Sequence, residues 1–149
     1  MTAETITTEA GGFSAEERAA MKARAEELRA EGRGGAKKAD GLQALLDAIA
    51  KMSPEDRALA ERVHVTVTAA APDLLPKTWY GMPAYTNADG KVVVAVKNAG
   101  KFGQRYTTME FQDPAHLDDG DMWPVSFALT RWTSEVEERI ADLMRVAVS

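Results

Sequence analysis

The chain has 149 residues, of which 45% are apolar and 28% are charged, as is typical of one globular domain. It has no cysteine, which excludes disulfides, thiolate metal sites and a cysteine nucleophile. It also lacks a signal-peptide pattern and the run of roughly 20 apolar residues that a membrane span needs, so we expect a cytoplasmic protein with no membrane partner.

The N-terminal part is predicted to be a tail followed by a helical extension. Residues 1–12 have no periodicity, and we expect them to be disordered. Ser14 and Glu17 have capping-box spacing, which predicts a helix as far as about Glu31. A glycine-rich linker then runs to about Gly41. The apolar stripe of this helix is thin, which favours loose packing, or contact with a protein partner or a second copy, through Met21, Ala25 and Leu28.

Two amphipathic helices are predicted next. The first is indicated by apolar residues at helical spacing, namely Leu42, Leu45, Leu46, Ile49 and Met52. Ser53 and Pro54 combine an N-cap with a proline at the first helical position, so a second helix begins there and stops before Pro72. Its inward face is predicted to carry Leu59, Val63, Val67 and Ala70.

The pattern changes to strands after Pro76. The stretch from Lys77 to Tyr85 is aromatic and extended, since a residue before proline avoids the helical region. The segment from Asn87 to Gly90 is typical of a hairpin turn. Residues 91–97 then alternate, which predicts a strand that buries Val92, Val94 and Val96.

The C-terminal third is predicted to complete the sheet and close with a helix. Strands are expected at residues 102–111 and 123–130, the second burying Val125, Phe127 and Leu129, with a loop over 113–121 between them. A second capping box, from Ser134 to Glu137, begins a helix with Val136, Ile140, Leu143, Met144 and Ala147 inward. The element order predicts an α+β fold, with a small antiparallel sheet packed against helices.

The aromatic segment is the first candidate site. Five bases and one acid lie between Lys77 and Arg105, so a pocket there would suit a small anionic or aromatic ligand. The alternative is that these aromatic side chains only pack the sheet onto the helices. The chain has no nucleophile elbow and no phosphate-binding or dinucleotide-binding loop, which argues against an enzyme. The candidate ligand-binding residues are Trp79, Tyr80, Met82, Tyr85, Lys101, Arg105, Tyr106 and Trp123.

One motif resembles a known family. The run Trp79-Tyr80-Gly81-Met82-Pro83-Ala84-Tyr85, followed by Asp89-Gly90-Lys91 and a valine strand, is similar to the YdhG-like family of small bacterial proteins. The resemblance extends from about Leu42 to Val148 and implies a YdhG-like domain over 42–149, with 13–41 as a helical extension and linker. It also implies a frataxin-like α+β fold and a non-enzymatic binding protein, since some members are labelled iron chaperones.

The acidic window, residues 110–121, is the second candidate site. It holds five acids, one histidine and no base, and outside it the acids and bases balance at 18 each. Oxygen and imidazole ligands suit iron when thiolates are absent, so iron is a candidate ligand, although a solvated loop is the simpler interpretation. The window also opposes phosphate approach, which argues against a nucleic-acid partner. The candidate metal ligands are Glu110, Asp113, His116, Asp118, Asp119 and Asp121.

Overall fold

The computed structural model describes residues 13–32 and 38–149, so the predicted tail and residues 33–37 of the predicted linker lie outside the described residues. The predicted end of the linker at about Gly41 was wrong, because the next helix already begins at Lys38. The helices are α1 (Ala15–Gly32), α2 (Lys38–Ala50), α3 (Pro54–Ala70) and α4 (Ser134–Ala147). The strands are β1 (Leu75–Trp79), β2 (Met82–Thr86), β3 (Val92–Lys97), β4 (Thr107–Phe111) and β5 (Ser126–Leu129), and a 3₁₀ turn spans Gly100–Phe102. Within the described ranges, no helix is long and apolar enough to cross a membrane.

The five strands form one antiparallel sheet in sequence order, so the predicted α+β fold with a meander is confirmed. The register pairs Ala84 with Ala95, Ala95 with Glu110, and Glu110 with Ser126. These four residues therefore share one face of the sheet, because paired residues on neighbouring strands point to the same side.

The main core lies between the other sheet face and helices α2, α3 and α4. It is one continuous cluster, and each fully buried aliphatic side chain in it contributes about 1.5–3 kcal/mol. The predicted apolar faces of the three helices supply much of this cluster. Its buried members include Leu45, Ile49, Val63, Val67, Tyr85, Val94, Val96, Met109, Ile140 and Met144.

A smaller apolar cluster occupies the opposite sheet face. Met82, Ala84 and Ala95 are buried there, and aromatic side chains pack around them. The N-terminal half of α1 borders this face, since Ala20 and Met82 line the same cavity of about 230 Å³. The sheet therefore has helices on both sides, and the aromatic segment lies on the side of α1.

The predicted helix starts are confirmed at α1 and α3. Ser14 N donates to Glu17 Oε1 at 2.8 Å, and Glu17 N donates to Ser14 Oγ at 3.0 Å, which completes the capping box. Ser53 Oγ accepts from the N–H of Asp56 at the start of α3. The α4 prediction was wrong by one residue, because the capping side chain is that of Thr133.

The inward face of α1 differs from the predicted one. Met21, Ala25 and Leu28 are all exposed, whereas Ala20 is buried and Glu27 is largely covered. Polar contacts with the sheet, rather than apolar burial, therefore set the orientation of this helix. Self-association through the exposed stripe stays a prediction.

Three strand predictions also need correction. A β-bulge beside Thr86 shifts the register, so Val92 packs on the smaller cluster while Val93 joins the main core. The predicted strand over 102–111 begins only at Thr107, because Gly103 has a left-handed backbone (φ 65°) that ends the preceding 3₁₀ turn. The last strand is limited to Ser126–Leu129, and Val125 is 45% exposed.

Candidate functional site

The aromatic segment is a tight hairpin rather than one extended stretch. Trp79 pairs with Met82, so only Tyr80 and Gly81 connect β1 to β2. Both have positive φ angles, 54° and 78°, as a type I′ turn requires. Glycine adopts this backbone freely, but for tyrosine it costs roughly 1–2 kcal/mol. The turn therefore needs contacts elsewhere in the molecule to hold it.

Glu27 of α1 provides these contacts. Its Oε1 accepts a hydrogen bond from the Tyr80 N–H and its Oε2 accepts one from the Gly81 N–H, both at 3.1 Å. Arg24, one turn earlier on α1, places its guanidinium carbon 5.8 Å from the centre of the Tyr80 ring. The sequence analysis did not identify Glu27, because 53 residues separate it from Tyr80 and nothing near it in sequence indicates its partner.

Lys101 completes this group from the 3₁₀ turn. Its Nζ lies 3.4 Å from the Tyr80 carbonyl oxygen. A Cβ atom on Gly81 would collide with this Nζ, at a distance of 2.2 Å. Burial lowers the pKa of the Lys101 ammonium, while the negative charge of Glu27 acts in the opposite direction. Two backbone N–H groups thus bind the Glu27 carboxylate, and a half-buried cation lies on the carbonyl side of the same turn.

A cleft of about 880 Å³ opens beside this group, and we name it the α1–α2 cleft. Its walls come from α1, α2, the start of α3, the Tyr80–Gly81 turn and the 3₁₀ turn. Glu27, Gly81 and Lys101 all line it, so the carboxylate-binding group faces a space large enough for a ligand. Its charged lining residues are Glu26, Glu27, Asp47, Lys51, Asp56 and Lys101.

Asp56 and Asn98 form the buried end of this cleft. Asp56 Oδ2 accepts hydrogen bonds from Gly100 N at 2.8 Å and from Asn98 Nδ2 at 3.2 Å. Asp56 and Asn98 are only 8% and 5% exposed, so the network fixes the 3₁₀ turn to the first turn of α3. It thereby positions the following residue, Lys101.

The predicted ligand-binding residues are only partly brought together. Trp79, Tyr80 and Met82 lie in the smaller cluster, and Tyr80 adjoins Lys101. Tyr85 belongs instead to the main core on the opposite sheet face, where it contacts His64. The remaining three lie elsewhere, namely Arg105 and Tyr106 in cation–π contact on the loop before β4, and Trp123 in a groove beside α4.

The acidic window does not fold into a metal-ligand cluster. Among the described residues, no three His, Asp or Glu side chains are grouped so that they could hold a metal ion. His116 Nδ1 instead lies 2.9 Å from the Ser149 carbonyl oxygen, and Asp118 and Asp119 line the groove with Trp123. Glu110 projects from β4 on the sheet face shared with Ala95. These residues do not fit an iron centre as they stand, and iron binding there stays a prediction.

Similarity to known proteins adds nothing to this geometry. Membership of the YdhG-like family stays a prediction that rests on the motif from Trp79 to Tyr85. No protein-family model matches the chain, and no curated protein or solved structure is significantly similar to it.

Proposed function

We propose that the protein is a non-enzymatic binding protein whose ligand, a small polar molecule, occupies the α1–α2 cleft. The observation that carries this proposal is the position of Lys101, a half-buried ammonium on the wall of a cavity of about 880 Å³. Ligand pockets usually measure roughly 300–1,000 Å³ and hold a few well-placed polar groups. A cation held where burial opposes its charge is typical of a binding site.

The charge pattern of the cleft favours a small molecule over a nucleic acid or a protein. Four carboxylates and two lysines line the cleft, so it presents both signs of charge with the acids in excess. A ligand there would have to offer both hydrogen-bond donors and acceptors within a short distance. The concave shape also suits a compact ligand better than an extended polymer.

Binding is favoured over catalysis because the polar groups of the cleft already make structural hydrogen bonds. Ser53 caps α3, while Asp56 and Asn98 hold the 3₁₀ turn. His64, the chain's more buried histidine, packs against Tyr85 in the main core and does not line the cleft. The described lining therefore lacks the paired nucleophile and base that acyl transfer needs.

The test is an NMR titration of the full chain with small carboxylates, phosphate esters, amino acids and neutral aromatic compounds. At least one class should shift the amide signals of Ala44, Ala48 and Thr78, which line the cleft. Signals from Trp123 and Leu143, which line the groove beside α4, should stay in place. Saturable shifts confined to that groove, or no shifts with any class, would contradict the proposal.

A further inference from the structure

The Tyr80–Gly81 turn already binds an anion within the molecule. Two successive N–H groups in a tight turn can point towards one side and form an anion-binding concavity. Here each N–H donates to a different oxygen of the Glu27 carboxylate, at 3.1 Å. The bound carboxylate belongs to a flexible side chain whose helix packs through few buried residues. Glu27 therefore occupies this position as an internal ligand.

The group has more positive and donating capacity than one carboxylate uses. Lys101 Nζ contacts the turn, and the negative charge of Glu27 acts on this ammonium. Arg24 Nη1 lies 3.5 Å from Glu27 Oε1. The Arg24 Nη1 atom is buried and has no hydrogen-bond partner among the described residues. Two N–H groups and a guanidinium thus contact one monoanion, and the Lys101 ammonium lies against the same turn. A phosphate, with more oxygens and more charge, would satisfy them more fully.

The strained backbone at Tyr80 supports a binding role for the turn. Tyr80 has a φ of 54°, a backbone conformation that residues other than glycine and asparagine rarely adopt. Such strain concentrates at ligand-binding sites. The left-handed conformation aims the Tyr80 N–H at the anion, so a bound anion stabilises it. Glu27 plays this part in the present arrangement.

Building on the proposed function, we infer that the ligand of the α1–α2 cleft carries a phosphate group. This group binds the N–H groups of Tyr80 and Gly81 together with Lys101, in place of the Glu27 carboxylate. Glu27 is then a built-in competitor, and its side chain rotates towards the cleft, which it already lines, when phosphate binds. Because only the Glu27 side chain rotates, α1 stays packed on the sheet and Arg24 keeps its position.

The experiment titrates inorganic phosphate and phenyl phosphate into the full chain, and follows the amide signals of Tyr80 and Gly81 by NMR. Acetate at matched ionic strength is the comparison. Glu27→Gln removes the competing charge, so it should tighten phosphate binding by about tenfold or more. Glu16→Gln, an exposed acid on the same helix, should bind phosphate like the wild type. If phenyl phosphate binds more tightly than inorganic phosphate, the ligand type is a phosphate ester.

Further variants keep the outcome decisive. Lys101→Met should abolish phosphate binding, whereas Lys91→Met, at the exposed β2–β3 turn, should not. If Glu27→Gln unfolds the hairpin, the wild-type Glu27 carboxyl carbon signal must itself shift as phosphate saturates the site. Unchanged phosphate affinity in a folded Glu27→Gln variant, or equal binding of acetate, would overturn the inference. Cleft shifts with other ligand classes would still leave the proposed function standing.

Discussion

His64 Nδ1 lies 2.8 Å from the phenol oxygen of Tyr85, although 21 residues separate them in sequence. The two rings stack with their centroids 5.8 Å apart. Tyr85 is 1% exposed, and burial raises its pKa, so the phenol stays protonated and donates the hydrogen bond. Burial also lowers the pKa of His64, which favours the neutral ring that accepts at Nδ1. The pair ties α3 to β2.

This pair predicts that acid destabilises the fold. Unfolded His64 takes up a proton near its ordinary pKa of 6.5, whereas the folded histidine does so only at lower pH. Its contribution to stability is therefore complete above that value and is lost as the pH falls towards the lower folded pKa. Chemical denaturation at several pH values should show this loss. His64→Gln should remove it, whereas His116→Gln should keep it, and an equal pH dependence in His64→Gln would contradict the assignment.

The phenol of Tyr85 makes its own contribution. Tyr85→Phe keeps the buried ring and removes only the hydroxyl, so it should lower the free energy of unfolding by about 1 kcal/mol. Tyr106→Phe is the matched control, because Tyr106 is half-buried and contacts Arg105 through its ring rather than its hydroxyl. Urea denaturation of both variants measures the difference. Equal effects of the two substitutions would show that the His64 contact adds no stability.

The elements with local signals were predictable from the sequence. The capping boxes and the helical spacing of apolar residues each involve neighbours within four positions, and they located α1, α2 and α3. Valine alternation and turn residues likewise indicated the meander. The β-bulge beside Thr86 left no comparable signal, and it moved Val92 to the other sheet face.

The candidate site was less predictable because it depends on contacts between distant residues. Of the residues predicted for this site, Tyr80 and Lys101 lie in contact, but Tyr85 was grouped with them although it points to the opposite sheet face. The Tyr80–Gly81 turn was missed because tyrosine rarely accepts a positive φ. Its backbone N–H groups are held by Glu27, from a helix far away in the sequence.

Asp56 is predicted to be a main polar support of the cleft. Asp56→Ala would leave the N–H of Gly100 and the amide of buried Asn98 without their acceptor, at a cost of about 2–3 kcal/mol. Glu55→Ala removes the neighbouring exposed acid from the same helical turn and should cost less than about 1 kcal/mol. Thermal and urea denaturation compare them. A loss of stability no larger than that of Glu55→Ala would show that the network contributes little.

Iron binding through the acidic window stays a prediction of the sequence, and the described residues oppose it because no three metal-binding side chains are grouped there. On that geometry, the isotherm of an anaerobic titration with ferrous iron should not change when Asp118, Asp119 and Asp121 become alanine. Circular dichroism would check that the triple variant stays folded. Saturable binding in the wild type that the triple variant loses would restore the iron hypothesis.

Gly41 is predicted to set the spacing between α2 and β1. A Cβ atom at this position would lie 2.3 Å from the carbonyl oxygen of Pro76, a backbone atom that cannot move without displacing β1. Alanine normally stabilises a helix interior by about 1 kcal/mol relative to glycine. Gly41→Ala should instead lower the free energy of unfolding by about 1–3 kcal/mol, because overpacking forces the helix away from the strand.

The same substitution also distinguishes the effect of Gly41 on helix propensity from its effect on the contact between α2 and Pro76. In urea denaturation, a more stable Gly41→Ala variant would mean that helix propensity outweighs the contact with Pro76. A less stable variant should also change the amide signals of β1 around Pro76 and Lys77, because α2 packs directly on that strand. Because Thr78 on β1 and Ala44 on α2 both line the cleft, the shift should reach the proposed ligand site as well.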